Sequence, residues 1–482
     1  MSSSSSSSSS SSTEDGNGGG GVGHYGARRR GGDFEGPSSS RRRAINEVWP
    51  EPFLEALATQ VAIDAAHSAG RLAAAAALAN VFQVCSTWRA VSRSELLWHR
   101  LTRLIWRRTH RLHATWRHEY IYRHRTAHNF RTRSFTHYIL PFDPFDVESP
   151  EGLMCRCLTL SDLHLACGFA DGAVRLFHLA TRLHVATFHP QFDDSLGQFS
   201  RAVSGIIISH NSTRLVFATL GGDIHVADNI NDPAAAALQP RRAHMGVVMV
   251  DGVLVDFTGC GRYWVGLYAG VPNQAFRIWD GQTETLTFQG GSLTNQNTVM
   301  GWRMLTELNE LVGRVRVSEG QESAVACTSS RVMVLDLRNR VVRFEELHRR
   351  GIVVRSVDVS REAYVMVDSR GWAVVRRVDT SDEVCRFNTR VGAGMMMTMM
   401  GCMNLMYWLM CAGGVIRVWE VEGGNYMYRF RERLVEEVNA FVADDRHVAA
   451  SCGSTIHLWD FGEQQPEEEE EEQQQHDEEG EE

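Results

Sequence analysis

The sequence predicts a small all-α module followed by an all-β ring of seven four-stranded blades, with a low-complexity tail at each end. Three observations predict it. Apolar residues recur at helical spacing from about Ile45 to Phe130. From about Arg133 the period drops to two, as in half-buried strands. Across that second region one local pattern returns seven times.

Residues 1–45 read as a disordered Ser/Gly/Arg-rich tail. Ser2 to Ser12 is a serine run and Gly16 to Gly23 is mostly glycine. Neither buries enough apolar surface to offset the entropy of ordering. Two arginine triplets, Arg28–Arg30 and Arg41–Arg43, read equally as a nuclear import signal and as a solvated tail.

Residues 46–105 read as the helical module. In "WPEPFLEALATQVA", Pro50 and Pro52 stand near a helix start, where a missing amide hydrogen costs little. Phe53, Leu54, Leu57 and Val61 then recur at helical spacing. An Ala-rich helix, Ala73–Ala79, follows Gly70. "VCSTWRAVSRSELLWHRL" places Val84, Trp88 and Val91 on one helical face. Ser92 or Ser94 caps a second short helix carrying Leu97, Trp98 and Leu101. Two tryptophans in so polar a stretch suit a docking surface, the core of a small bundle, or both.

Residues 106–132 read as a basic connecting helix. Arg100 to Arg133 holds ten Arg and one acid, Glu119, interleaved with Trp106, Trp116, Tyr120 and Tyr122. Such a segment can neutralise phosphate. It can equally pack onto the ring with Arg stems covering the seam. No zinc, helix-turn-helix or basic-zipper pattern accompanies it, so direct DNA binding is not expected.

Residues 133–462 read as the ring. Each unit is an apolar strand, a tight polar turn, then an alternating strand ending at Phe177, Ala227, Trp279, Leu335, Arg376, Trp419 and Trp459 in turn. The spacings are 50, 52, 56, 41, 43 and 40 residues. That period suits one four-stranded propeller blade with loop insertions. The last unit stops after its third strand at Phe461, which would leave an unpaired edge. "SFTHYIL", Ser134 to Leu140, has strand character and is expected to supply the missing outer strand and latch the ring. Residues 463–482 form an acidic tail. Their twelve acids account for more than the whole net charge of −9 and leave the rest of the chain near +3.

Several chemistries are excluded. All 49 basic residues are arginine. Without lysine there is no Walker phosphate loop, Schiff-base lysine or kinase strand lysine. Codon usage in a GC-rich coding sequence would give the same bias; so would selection in a protein held beside a lysine-modifying enzyme. No nucleophile elbow, H-E-x-x-H or dinucleotide fingerprint occurs, so an enzyme is not expected. The ten Cys lack paired C-x-x-C spacing, so no metal and no cofactor are expected, and reduced thiols in cytosol or nucleus are. The polar N-terminal tail is not a secretory signal. No apolar run reaches the roughly twenty residues of a membrane span.

"RIWD", "RVWE" and "HLWD" resemble the WD-repeat family; the other four units lack the tryptophan, and the family's Gly-His pair is missing. "WPEPFLEAL" and "VCSTWRAVSRSELLWHRL" resemble the F-box family. That resemblance implies docking to the Skp-type adaptor of an SCF cullin ubiquitin ligase. The implied adaptor contacts are Trp49, Pro50, Leu54, Leu57 and Val61 in the first segment. In the second they are Val84, Trp88, Leu97, Trp98 and Leu101. The whole chain, including "YRHRTAHNFRTRSFTHY" and "VDFTGCGRYWVGLYAGVP", resembles a plant family of F-box proteins with degenerate WD-repeat propellers. That family regulates floral organ identity and organ size in the nucleus. Its implied substrate is a transcriptional repressor of the PEAPOD type. The alternative is a nuclear transcriptional regulator or scaffold acting directly on floral homeotic gene expression.

Target contacts are expected on turns joining second to third strands: Asp171, Asn273, Ser330 and Arg370, with Tyr268 at the start of the extended turn "YAGVPNQA". "HPQFDDSLGQF" and "TNQNTVMGW" are long enough to shape a site. The run "MMMTMMGCMNLM" reads first as a buried strand and second as an adaptable binding surface.

Overall fold

A computed structural model describes residues 49–141, 153–191, 197–209, 213–232, 239–292, 313–318, 320, 322–328, 331–347, 354–390 and 399–462. The two tails, "TNQNTVMGW" and Ser330 lie outside the described residues. The chain divides into two compact units after Leu54. In the described part of the first unit, the Phe53 and Leu54 amides donate to the Pro50 carbonyl at 2.9 and 3.2 Å, opening a helical turn. Trp49 stacks on Phe53 at 4.6 Å.

Among the described residues five helices precede the strands: α1 (Glu51–Ala69), α2 (Ala73–Gln83), α3 (Ser86–Val91), α4 (Glu95–Ile105) and α5 (Trp116–Thr132). Their limits follow local chemistry. Gly70, at φ +85°, ends α1 where a side chain would be strained. Ser94 caps α4, accepting from the Leu97 amide at 3.3 Å and donating to Glu55. Thr115 caps α5 by accepting from the His118 amide at 3.2 Å. On α4, Leu97, Leu101 and Ile105 form an inward stripe at i, i+4, i+8.

Among the described residues twenty-eight strands make seven four-stranded antiparallel sheets. Six blades are consecutive: 155–188, 203–244, 253–290, 314–347, 354–388 and 399–429. The seventh takes three strands from 438–460, and its outer strand is β1 (Thr136–Leu140). β1 pairs antiparallel with Thr455–Asp460, from Thr136 opposite Asp460 to Leu140 opposite Ile456. The latch expected from the sequence is therefore the ring closure. The seven unit ends found by periodicity are equivalent in three dimensions. Phe177, Ala227, Trp279, Leu335, Arg376, Trp419 and Trp459 pair across to Leu165, Leu215, Trp264, Ala324, Tyr364, Trp408 and Val448.

The core sits between blades. Val174 and Leu176 of the first blade pack with Ile206 and Phe217 of the second, and the other seams repeat this. Each fully buried large apolar side chain contributes roughly 1.5–3 kcal/mol. Trp279 and Trp459 are buried, and their indole N–H groups have no hydrogen-bond partner among the described residues. In these blades apolar packing holds the tryptophan. This fits the missing Gly-His pair. Of the methionine run, Met399–Met403 is the innermost strand of the sixth blade, with Met399 and Met403 buried.

Candidate functional site

Two surfaces follow from the strand directions. Turns joining first to second strands, and third to fourth, share one face of the ring. Turns joining second to third strands lie on the opposite rim. The helices α2 to α5 attach to the first face.

That attachment explains the basic shoulder. Arg108 reaches Asp162 at 3.1 Å and Asp445 at 3.4 Å, both on first-to-second-strand turns. His110 bonds Asp162 at 2.9 Å. Arg71 and Arg107 converge on Glu362 at 2.6 and 2.5 Å, on the corresponding turn of the fifth blade. Arg446 grips Asp460 with two hydrogen bonds of 2.6 and 2.7 Å and donates to the Tyr122 hydroxyl at 3.2 Å. Burial alone would raise the Asp162 carboxyl. The His110 hydrogen bond and the Arg108 and Arg123 charges outweigh it and hold the group well below the usual carboxylate range. Glu119 is fully buried. Burial pushes its carboxyl up, but Arg123 at 2.8 Å and bonds from His113 and the Leu112 amide bring it below its ordinary value. The connecting helix starts at Trp116, not at 106. Residues 107–115 leave the helical path, which brings Arg108 and His110 to Asp162.

Along the axis lies a cavity of about 590 Å³, with Trp106 and Arg108 in its lining at the helical end. Its wall carries a charge ladder across blades. Asp256 binds Arg316 at 2.9 Å, Arg316 approaches Asp358 at 3.5 Å, and Asp358 accepts from the Met403 amide at 2.8 Å. These contacts tie four successive blades together. Among the described residues no three His, Cys, Asp or Glu are arranged to hold a metal ion. No helix there is long and apolar enough to cross a membrane.

The residues expected to meet an adaptor divide by burial. Trp49 and Pro50 are exposed, whereas Leu54 is 3 % exposed. In the second unit Val84 is 62 % exposed, and Leu57, Val61 and Trp88 are half-buried. Leu97, Trp98 and Leu101 are buried. The Trp98 indole donates to the Ser92 carbonyl at 2.7 Å, and its ring packs against Phe82 and Tyr120. These three side chains therefore build the module and do not present its surface. The apolar positions that α4 does present are Leu96 and Leu104. Sequence reasoning passed over both because they flank the buried stripe.

The residues expected to meet a target divide likewise. Asp171 shapes its own turn, accepting from the Ala173 amide at 2.9 Å and from Arg175 at 3.2 Å. Tyr268 is buried beneath the Arg277 guanidinium, 4.6 Å from the ring centre, so it supports the rim from below. Asn273, at φ +59°, and Arg370 are exposed on the rim. The more prominent apolar groups are ones the sequence did not reveal: Phe199, Met245, Met249 and Val250. They flank the second blade's turn, where the Gly221 amide donates to the Ser200 carbonyl at 2.8 Å and the Gly246 amide donates to Asp223 at 2.9 Å. "GVVMV", Gly246–Val250, lies in the connection from the second blade to the third, on the rim.

No family model matches the chain. The chain is 59% identical over 445 residues to "Transcriptional regulator STERILE APETALA" of Arabidopsis thaliana, covering 91% of this chain and 97% of that protein. Two solved structures are also similar. The Cps50 (Swd1) β-propeller domain of Myceliophteria thermophila has TM-score 0.48 and 12% identity, over 68% of this chain and 99% of that one. The structure of U3-55K has TM-score 0.48 and 10% identity, over 67% and 98%.

Proposed function

The chain belongs to the STERILE APETALA family of transcriptional regulators, and from that premise we propose that it is the substrate receptor of an SCF-type cullin ubiquitin ligase. The helical module docks the Skp-type adaptor. The propeller rim binds a nuclear transcriptional repressor, of the PEAPOD type by the resemblance above. The observation that carries this reading is the opposed placement of the two faces. The helices are fixed to one side of the ring by Arg108, Arg71 and Arg446. The second-to-third-strand rim, with Asn273, Arg370 and Phe199, is left uncovered by them. A rigid two-faced body of this kind does no bond chemistry. It raises the local concentration of the target beside a charged conjugating enzyme. In the second unit exposed Val84 and Leu96 and half-buried Trp88 supply adaptor contacts, and in the first unit exposed Trp49 offers a contact of its own.

The test is copurification of the full chain with a plant Skp-type adaptor, beside a Trp49→Ala, Val84→Asp, Trp88→Ala variant. Capture by the intact chain and loss in a variant of unchanged melting temperature support the reading. No capture by the intact chain overturns it. A second reading, a scaffold acting directly on gene expression, draws on the relative's designation as a transcriptional regulator. It becomes the leading one in that case.

A further inference from the structure

The 482 residues contain 49 arginines and no lysine, and the fold accounts for only part of that choice. At some sites the guanidinium is required. Arg446 forks onto both oxygens of Asp460, and Arg108 spans Asp162 and Asp445. Arg277 binds Asp251 at 2.5 Å while lying over Tyr268. A lysine ammonium is a point charge and cannot make these planar two-pronged contacts. Other sites carry no such demand. Arg89, Arg93, Arg103, Arg117 and Arg125 are exposed on or beside α3, α4 and α5. Among the described residues their side chains have no acidic partner. Lysine has nearly the same helix propensity and would be solvated equally well there.

We propose that this body is built to present no acceptor side-chain amine, so that the ligase modifies the bound target and spares its receptor. The inference rests on the receptor reading above. Ubiquitin transfer needs a neutral amine. Its lone pair attacks the thioester carbonyl that joins ubiquitin's C-terminus to the conjugating enzyme's cysteine. The C–N bond forms, the C–S bond breaks, the amine loses a proton and the cysteine leaves as thiol. An arginine side chain stays protonated at neutral pH, with its electrons delocalised over the guanidinium, and does not attack. Arg89, Arg93 and Arg103 lie on or beside α3 and α4, which are proposed to meet the adaptor, and Arg117 and Arg125 lie on the connecting helix α5; in a receptor docked to the ligase an acceptor there would be held at high effective concentration.

The experiment uses a reconstituted ligase: adaptor, cullin complex, conjugating enzyme and full chain, wild type beside an Arg89→Lys, Arg117→Lys, Arg125→Lys variant. Adaptor capture and melting temperature are measured on both. The expected result is self-conjugation of the variant about tenfold or more faster than wild type, with conjugates mapped to the new lysines. Equal rates, with wild-type conjugates mapped to its N-terminal amine or to hydroxyls or thiols, would overturn the proposal. So would a variant that captures adaptor and remains unmodified while a target is modified. If neither chain captures adaptor, the receptor reading fails and takes this inference with it, an outcome distinguishable from the other two.

Discussion

Phe130 lies flat on Phe461, ring centroids 3.6 Å apart and planes 7° from parallel. One is near the end of α5 and the other follows the last propeller strand. The Asn129 side-chain amide donates to the Phe461 carbonyl at 2.7 Å, and the Tyr428 hydroxyl to the Phe130 carbonyl at 2.5 Å. The connecting helix and the ring closure are thus one structural event.

Replacing Phe130 with alanine removes that stack and the contact with Tyr407. The expected loss is about 3–5 kcal/mol. Urea denaturation of the full chain measures it, as a lower midpoint with unchanged slope.

Cutting away the helices should not yield a stable free ring. A chain lacking residues 49–140 loses β1 and exposes the Thr455–Asp460 edge. An unpaired edge strand recruits other chains. Size-exclusion chromatography should show aggregation, relieved when residues 134–140 are restored.

Arg446→Met leaves Asp460, whose side chain is 1% exposed, without its forked partner. Breaking a buried pair from one side costs about 3–5 kcal/mol. Arg446→Lys should recover only part of this, because a single ammonium cannot match both oxygens. Melting temperatures of the three chains check the order.

Stability should fall on mild acidification through buried histidines. His164 and His225 are buried, and burial pushes each imidazole down to about 4. The unfolded chain takes up these protons near pH 6.5, while the folded chain does so only near 4. Protons therefore favour unfolding across that window, and stability declines as pH falls from 6.5 to 4. Below it, the lowered carboxyls of Asp162 and Asp460 add a second decline as pH drops through the ordinary carboxylate range. His225→Gln, which does not titrate, should flatten the first slope by its share in denaturation series at pH 7, 6, 5 and 4.

A Cβ on Gly205 would lie 1.8 Å from the Phe257 carbonyl oxygen, between the second and third blades. Gly205→Ala should destabilise strongly. Gly261→Ala, where nothing lies within 4 Å, should be nearly neutral. Thermal unfolding of the two separates close blade packing from a general glycine effect.

Much of the fold is legible in the sequence because its signals are periodic. A two-residue alternation with turns every few residues forces strands, and seven returns of one pattern force a ring that closes on itself. Ser134–Leu140 could be assigned to the last blade because an orphan edge demands a partner. The candidate site was less legible. Leu97, Trp98 and Leu101 share one helix face, but periodicity says only that a face exists, not which side of it meets solvent. Leu96 and Leu104 are told apart from them only by what packs against α4. Met249 and Val250 look like core in one dimension and stand on the rim in three.

By itself the sequence determined the order of the parts, the number of blades and the means of closure, since these depend on local pattern and on leaving no strand edge unpaired. Only the tertiary structure decided which charges are spent inside the molecule and which remain outside. Asp162, Glu362 and Asp445 lie far along the chain from Arg108 and Arg71, and only ring closure brings them together. The basic segment that could have served a nucleic acid is in large part the fastening between the helices and the ring. The physical reason is that an ion pair is set by distance in space, and distance in space is a property of the closed fold.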